Sequence, residues 1–268
     1  MKINNKSNFS IINKIGEGAF GLVYECIENN TNEICCIKIE KDNINLLCKE
    51  GALYEFLFKK KALIPKYYYC GDILFENKLT FALVTEFYHK DISHYLSLFN
   101  QNVKNTLKLG YQMVTVIESI HKQNVLHRDI KPENILIFDP EKEDFIIKIT
   151  DLGLCKNYID NDGYHIDFRN GISPVGSLRF CSVNSNKGFE LSRRDDLYSL
   201  IYVLLYLYDG NVSWQNKEND EIIKLKQSIN LEKKHPLFFI IKALLKHLNE
   251  LDFDEKPNYK YLKSMLKP

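Results

Sequence analysis

The sequence predicts an α+β fold in which a small antiparallel β-sheet with one helix precedes a larger, mainly helical part. Two patterns predict this class. Between Phe9 and Glu40, apolar and polar residues alternate around turn signals at Gly16–Gly18 and Asn29–Asn32, which is typical of antiparallel strands. From Val103 onwards, apolar residues recur instead at the spacing of three and four residues that is typical of helical faces.

The first part is expected to contain five strands and one helix. The strands are predicted at Phe9–Ile15, Leu22–Glu28, Glu33–Glu40, Lys66–Ile73 and Leu79–Glu86, with the helix at Asn45–Lys59. After a linker at Phe87–Asp91, helices are predicted at Val103–Gln123, Asp196–Tyr208, Asp220–Ser228, Leu237–Leu248 and Tyr259–Met265, with short strands at Ile135–Phe138 and Phe145–Thr150. The second of these helices is apolar nearly all round, which predicts that it lies in the core.

Composition places the chain among ordinary globular proteins, since its 268 residues are 45% hydrophobic and 26% charged, with a net charge of +1. This charge gives no reason to expect nucleic acid or an anionic membrane as a partner. The segment Met1–Ser10 is too polar for a secretory signal, and the apolar run Leu197–Tyr208 is shorter than the ~20 residues that cross a bilayer. Seven cysteines without a C-x-x-C pair indicate reduced thiols. We therefore expect a soluble protein inside the cell, in the cytoplasm or the nucleus. We also expect it to be a monomer.

The segment Leu126–Leu136, which reads L-H-R-D-I-K-P-E-N-I-L, concentrates the polar groups of a candidate catalytic loop. Asp129 could accept a proton from a hydroxyl, Lys131 could neutralise charge on a transferred phosphoryl group, and Asn134 could bind a metal ion. Phosphoryl transfer to a hydroxyl needs this set of groups. His127, by contrast, is expected to have a packing role.

A glycine-rich turn, Gly16-x-Gly18-x-x-Gly21-x-Val23, lies between two predicted strands. Glycines let backbone N–H groups approach phosphate oxygens without interference from side chains. The same spacing also marks dinucleotide-binding folds, where it opens a helix, whereas a predicted strand follows here and favours a flap over nucleotide phosphates. The residues predicted to contact the nucleotide at this turn are Ile15, Gly16, Glu17, Gly18, Ala19, Phe20, Gly21 and Val23.

Lys38 lies in an apolar predicted strand, where a charged side chain needs a partner. Glu50, twelve residues later on the inward face of the predicted helix, is the expected partner, and Glu55 on a different face is the second choice. The pair would direct the Lys38 ammonium at the α- and β-phosphates of a nucleotide. The alternative is a lysine at the edge of a strand that extends its ammonium into water.

Asp151 follows the predicted strand Phe145–Thr150 and begins the sequence D-L-G. Mg²⁺ prefers hard oxygen ligands and is bound in part by the phosphates of its substrate. One carboxylate and one amide are therefore enough ligands for the protein to supply. Asp151 is therefore predicted to be the second metal ligand, beside Asn134. A β-turn aspartate near a glycine is the alternative, and it would prevail if Asp129 and Asn134 were absent.

Together these motifs resemble a eukaryotic-type protein kinase, whose catalytic loop has the signature H-R-D-x-x-x-x-N. Later segments narrow the resemblance to the casein kinase I group. Val175–Asn184 reads V-G-S-L-R-F-C-S-V-N where most kinases have A-P-E, and Ser192–Leu197 reads S-R-R-D-D-L, both similar to that group. Leu251–Leu262 resembles the closing signature of the group, so the resemblance extends from Phe9 to the C-terminus.

The resemblance implies a single protein-kinase domain at residues 9–268 with a bilobal fold and a short extension at residues 1–8. The N-lobe, with its antiparallel sheet and one helix, would comprise residues 9–86. A hinge at residues 87–91 would connect it to a mainly helical C-lobe at residues 92–268. The resemblance also implies ATP and Mg²⁺ as cofactors.

The same resemblance implies roles for residues outside the catalytic loop. Thr85 matches the gatekeeper position, and Glu86 to Tyr88 match the hinge whose backbone groups recognise adenine. Asp196 is expected to hold the backbone of the catalytic loop from the buried helix. Ser177, which stands where the group has threonine, is expected to hydrogen-bond near that loop.

Members of the group tend to phosphorylate serine or threonine downstream of acidic or phosphorylated residues, so protein substrates are the expected partners. A basic pocket binds such anions through charge-assisted hydrogen bonds. The residues at or near its positions are Arg179 and Lys217, with Arg128 and Lys156 as a second anion site. The chain departs from the group at Ile172 and Asn157, which stand where basic residues are usual.

Three other functions are compatible with parts of the sequence. A pseudokinase that acts as a scaffold would usually have lost Lys38, Asp129, Asn134 or Asp151, whereas all four are present. A vaccinia-related-type kinase belongs to a sister group, but Ser192–Leu197 has the form with two aspartates. A kinase that acts on small molecules could share the fold, but the segment Ser177–Asn184 does not support it.

Overall fold

A computed structural model of the chain describes residues 9–18, 21–41, 46–88, 90–140, 142, 144–229 and 231–268. The predictions for Ala19, Phe20 and the extension at residues 1–8 lie outside these residues. The chain divides into two compact units. The first comprises the residues before Lys90 together with Asp151–Gly153, and the second comprises Lys90–Thr150 and Leu154–Pro268.

The first unit is built on a five-stranded antiparallel sheet in the order β1-β2-β3-β5-β4. Its strands are β1 (Phe9–Gly18), β2 (Gly21–Glu28), β3 (Ile34–Glu40), β4 (Tyr67–Phe75) and β5 (Lys78–Glu86). Alternation along the strands buries one set of side chains in a common core, which includes Cys26, Cys35, Ile37, Ile39 and Val84. The five predicted strands are confirmed, with ends that differ by a few residues.

Helix α1 (Leu46–Lys59) packs one face against this sheet. Its buried residues are Leu47, Glu50, Gly51, Tyr54 and Leu57, which recur at helical spacing. A Cβ atom added at Gly51 would come within 1.9 Å of the sulfur of Cys70 on β4. Only glycine permits the helix to approach the sheet this closely. The close approach places the neighbouring Glu50 against the sheet.

The second unit is mainly helical, as predicted. Its helices are α2 (Leu96–Phe99), α3 (Val103–His121), α4 (Val183–Asn186), α5 (Arg193–Asp209), α6 (Asn219–Gln227), α7 (Phe238–Glu250) and α8 (Tyr259–Met265). Two small ladders pair β6 (Val125–Leu126) with β9 (Lys156–Asn157) and β7 (Ile135–Phe138) with β8 (Ile146–Ile149). The shortest elements, α2, α4, β6 and β9, give no periodic pattern and were not predicted. Among the described residues, no helix is long and apolar enough to cross a membrane.

Most residues of α5 are buried, as its apolar sequence predicts. The helix begins at Arg193 rather than at Asp196 because Ser192 and Asp195 form a capping box. The Asp195 carboxylate accepts hydrogen bonds from the Ser192 N–H and the Asn184 side chain, both at 2.8 Å. The cap therefore joins α5 to α4, and it places Asp196 in the first turn of the helix.

Candidate active site

Strand β3 and helix α1 bring together the lysine and the glutamate that the sequence predicts as partners. The Lys38 Nζ atom lies 2.7 Å from Glu50 Oε2 and 3.6 Å from Asp151 Oδ1. The Glu50 side chain is buried, whereas 40% of the Asp151 side chain is exposed. Glu55, the second choice, instead pairs with Lys59 at 2.6 Å on its own helix. Lys38 therefore points to two carboxylates of the first unit rather than into water.

These two carboxylates maintain the charge of Lys38. Burial alone would lower the pKa of Lys38, but Glu50 and Asp151 outweigh it and raise the pKa above its ordinary value. Burial raises the pKa of Glu50, and the Lys38 ammonium opposes that rise. Lys38 is thus a cation in a fixed position, which is what the binding of phosphate oxygens requires.

In the second unit, three donors fix the carboxylate of Asp129. Its Oδ2 atom accepts hydrogen bonds from Lys131 Nζ at 2.6 Å and from the Asn134 amide at 3.0 Å. Its Oδ1 atom accepts a hydrogen bond from the Ser177 N–H at 3.0 Å. The Asn134 amide nitrogen also donates to the Asp129 carbonyl at 2.9 Å, so the amide oxygen is the atom that could bind a metal ion.

Gly176 permits the approach of Ser177 to this loop. Its φ angle of +84° is strained for residues that have a Cβ atom. A Cβ atom at this position would also lie 2.5 Å from the Arg128 carbonyl oxygen and 3.3 Å from Asp129 Oδ1. The segment that resembles casein kinase I therefore packs directly on the candidate catalytic loop.

Asp196 holds the start of the same loop from α5. Its Oδ1 atom accepts a hydrogen bond from the Arg128 N–H at 2.7 Å, and its Oδ2 atom accepts one from the His127 N–H at 2.8 Å. The His121 ring nitrogen Nε2 lies 2.8 Å from the same Oδ2 atom. Burial would raise the pKa of Asp196, but His121 and His127, which also donates its backbone N–H, outweigh it and lower the pKa. These contacts support Arg128 at a φ angle of +68°, a strained value for a bulky residue.

The glycine-rich turn joins β1 to β2 as a hairpin in which Gly18 pairs with Gly21. A strand follows the turn, as predicted, rather than the helix of a dinucleotide-binding fold. The predicted nucleotide contacts Ile15, Gly16, Glu17 and Gly18 lie at the end of β1, and Gly21 and Val23 lie at the start of β2. Val23 is directly opposite Lys38 on β3.

The residues predicted as gatekeeper and hinge lie at the end of β5. Thr85 is opposite Cys36, two residues before Lys38 on β3, so the side chains of Thr85 and Lys38 project from the same face of the sheet. The Glu86 carboxylate accepts a hydrogen bond from the Lys66 N–H at 2.9 Å, and Tyr88 is buried. The structure therefore places Thr85 on the sheet face that carries the candidate phosphate-binding lysine.

A family model described as the protein kinase domain matches residues 9–267 of the chain. The chain belongs to the protein kinase family. This membership, together with the antiparallel sheet and the helical second unit, confirms the predicted kinase fold.

Two relatives of the chain are named as kinases. It is 32% identical over 273 residues to a protein named "Probable serine/threonine-protein kinase" from Dictyostelium discoideum, and the match covers 97% of this chain and 53% of that protein. It is 31% identical over 271 residues to a protein named "Probable casein kinase I homolog" from Encephalitozoon cuniculi, covering 97% and 88% respectively. The chain thus spans about half the length of the Dictyostelium relative.

Arg179 and Lys217, two of the predicted anion-binding residues, contact an aromatic ring and a carboxylate of the second unit. The Arg179 guanidinium lies 5.6 Å from the centre of the Tyr206 ring, a distance at which a cation interacts with an aromatic face. Lys217 Nζ lies 3.0 Å from Glu221 Oε1, and both side chains are largely exposed. An exposed pair of this kind is weak, so an incoming anion could compete for Lys217.

At the second predicted anion site, the structure reveals a buried carboxylate that the sequence does not mark. The Glu190 Oε2 atom lies 2.9 Å from Lys156 Nζ and accepts a hydrogen bond from Arg169 Nε at 3.0 Å. Arg128 donates to the Leu154 carbonyl at 2.7 Å. The charge of Lys156 is therefore matched by a carboxylate of the chain itself.

Lys226 is a further buried charge that sequence patterns did not identify. Its Nζ atom donates to the carbonyl oxygens of Leu178 at 2.8 Å and Cys181 at 2.6 Å, and to Asn186 Oδ1 at 2.9 Å. Burial lowers the pKa of Lys226 to about 8. Helix α6 thereby holds the segment that precedes α4. A lysine four residues after Ile222, on the buried face of an amphipathic helix, is the sequence signal that could have revealed it.

Proposed function

We propose that the chain is an ATP-dependent serine/threonine protein kinase of the casein kinase I type. The observation that carries the proposal is the Asp129 carboxylate, which Lys131, Asn134 and the Ser177 N–H hold in a chain of the protein kinase family. The name of the Encephalitozoon relative and the S-R-R-D-D-L segment support the casein kinase I assignment. The predicted domain limits, the monomeric state and the intracellular location remain predictions.

In this proposal Asp129 accepts the proton of the substrate hydroxyl. The hydroxyl oxygen forms a bond to the γ-phosphorus of ATP, the bond between that phosphorus and the β–γ bridging oxygen breaks, and ADP leaves. Lys131, whose Nζ atom lies 2.6 Å from Asp129 Oδ2, stabilises negative charge on the transferred group. The chain forms no covalent bond to the phosphoryl group, so positioning and charge supply the catalysis.

Lys38 is proposed to bind the α- and β-phosphates, with Glu50 as the residue that positions its ammonium. The backbone of the turn between Gly16 and Gly21 would lie over the phosphates, and the backbone from Glu86 to Tyr88 would bind adenine. The role of Lys38 is supported by its fixed pair with Glu50 at 2.7 Å. Together they would bind and orient ATP without taking part in proton transfer.

Asp151 and Asn134 are proposed to hold Mg²⁺. Their carboxylate and amide oxygens are the hard ligands that this ion prefers, and the Asp151 side chain is accessible at 40% exposure. When bound, Mg²⁺ neutralises phosphate oxygens of ATP. Within the described residues, no group of three or more histidine, cysteine, aspartate or glutamate side chains could hold a metal ion.

Phosphorylation of casein or an acidic peptide with Mg²⁺ and ATP tests the proposed activity. We expect phosphate incorporation that stops when EDTA removes the metal and resumes when Mg²⁺ is restored. The reason is that the protein supplies few ligands, so a chelator can compete for the ion. Circular dichroism of the same sample confirms that the chain is folded. A folded chain that incorporates no phosphate into either substrate would contradict the proposal.

A peptide array tests the preference for acidic or phosphorylated residues upstream of the target. We expect such peptides to be phosphorylated faster than neutral ones, and Arg179→Ala to reduce this preference about tenfold, since a charge-assisted hydrogen bond to the anion is lost. Lys260→Ala, at an exposed position of α8, is the matched control. If the array shows no preference for acidic or phosphorylated upstream residues, the proposed specificity is contradicted, whereas the proposed kinase activity is not.

A further inference from the structure

We propose that Glu40 is a positioning residue of the kinase reaction, because its carboxylate caps helix α1 and thereby sets Glu50 opposite Lys38. This inference rests on the function proposed above. Lys38 and Glu40 are two residues apart on β3, so their side chains project from the same face of the sheet. Both side chains meet α1, which packs on that face.

Glu40 contacts the first turn of α1. Its Oε1 atom accepts hydrogen bonds from the Leu46 N–H at 2.9 Å and the Leu47 N–H at 3.3 Å. The first N–H groups of a helix have no partner within the helix, and the helix dipole favours a negative charge beside them. The first turn of α1 contains no acidic residue of its own. Glu40 therefore supplies from the neighbouring strand what the helix lacks.

Several contacts fix Glu40 itself. Only 4% of the residue is exposed, and its carbonyl oxygen accepts a hydrogen bond from Thr80 Oγ1 at 3.0 Å. Its backbone lies opposite Gly21 on β2. A buried carboxylate is unfavourable unless its oxygens accept hydrogen bonds, and the N–H groups of α1 meet that need. The position of the Glu40 side chain is therefore coupled to the position of the helix.

The cap and the ion pair act on α1 about one turn apart. Glu50 follows Leu46 by four residues, which is close to the helical repeat. Strand β3 thus holds the helix at two successive turns, first through Glu40 and then through Lys38. Loss of the first contact would let the start of α1 move and would weaken the Lys38–Glu50 pair, although no group proposed to touch ATP is removed.

Two conservative variants separate this role from a general loss of stability. Glu40→Asp keeps the charge but is one methylene shorter, so it cannot reach the two N–H groups, whereas Glu40→Gln keeps an acceptor oxygen at full reach. We expect kcat/KM for ATP to fall about tenfold in Glu40→Asp and to stay within about threefold of wild type in Glu40→Gln, with the KM for the peptide unchanged in both. Glu55→Gln is the matched control, because it removes the exposed pair with Lys59 from the same helix.

Hydrogen exchange measures the position of the helix independently of activity. The amides of Leu46 and Leu47 and those of the turn around Glu50 should exchange faster in Glu40→Asp than in wild type, and at the wild-type rate in Glu55→Gln. Three results would each overturn the inference: a wild-type kcat/KM in Glu40→Asp, a Glu40→Gln variant as impaired as Glu40→Asp, or faster exchange that stops before Glu50. A wild-type chain that transfers no phosphate would contradict the proposed function, while the exchange data would still test the cap.

Discussion

Asparagine in place of Asp129 is expected to lower kcat about 10³-fold, within the range that general bases contribute. The Asp129 carboxylate accepts hydrogen bonds from Lys131 and Asn134 on one oxygen and from the Ser177 N–H on the other. An asparagine side chain can accept on one side only and would turn its own N–H groups towards donors on the other. The variant would thus lose both the proton acceptor and the geometry that fixes it.

Steady-state kinetics with ATP and an acidic peptide measure this effect. The KM for ATP should be unchanged, because Asp129 is proposed to contact the substrate hydroxyl rather than the nucleotide. Asp252→Asn, at an exposed position, is the matched control and should keep the wild-type kcat. A folded Asp129→Asn variant with a kcat within about tenfold of wild type would contradict the role of general base.

Replacement of Asp196 by asparagine is expected to lower the free energy of unfolding by about 3 kcal/mol. The buried carboxylate accepts hydrogen bonds from the N–H groups of Arg128 and His127 and lies 2.8 Å from His121 Nε2. An amide would place an N–H group against at least one of these donors. We also expect kcat to fall, since the strained backbone at Arg128 would lose its support one residue before Asp129.

Urea denaturation of wild type and Asp196→Asn at two pH values tests the origin of this difference. The pKa of Asp196 is lower in the folded chain than its ordinary value of 3.8, so its stabilising contribution is fully present above that value and is lost as the pH falls through the folded-state pKa. We expect the full difference at pH ~7 and a smaller one below pH ~4. Asp162→Asn, at an exposed position outside the helices, is the control and should match wild type at both. A difference that does not shrink in acid would contradict the contribution of the charge.

The parts of the site that depend on local pattern could be predicted from the sequence. Alternation locates β3 and helical spacing locates α1, so a buried lysine on one and a glutamate on the inward face of the other were expected to meet, and Lys38 and Glu50 do. The groups around Asp129 lie mostly within one short loop, so their proximity follows from chain order. Ser177 was placed near that loop by resemblance alone, and its backbone N–H rather than its hydroxyl makes the contact that the structure shows.

Contacts that join distant segments could not be predicted in this way. Glu40 and Glu190 look like ordinary surface charges in the sequence, because local pattern does not reveal that a tertiary contact buries a side chain. Lys226 lies at helical spacing from the buried Ile222, but its hydrogen-bond partners come from the distant chain between Leu178 and Asn186. These charges become recognisable once the fold shows which backbone N–H and C=O groups need a partner.

Transfer of label from γ-labelled ATP to casein, followed by analysis of the labelled amino acids, tests the central claim most directly. Wild type and Asp129→Asn are compared at equal concentration, with Mg²⁺ present and both shown to be folded. The proposed mechanism predicts labelled serine or threonine with wild type and about 10³-fold less with the variant. Equal labelling by the two proteins, or labelling of neither, would contradict it.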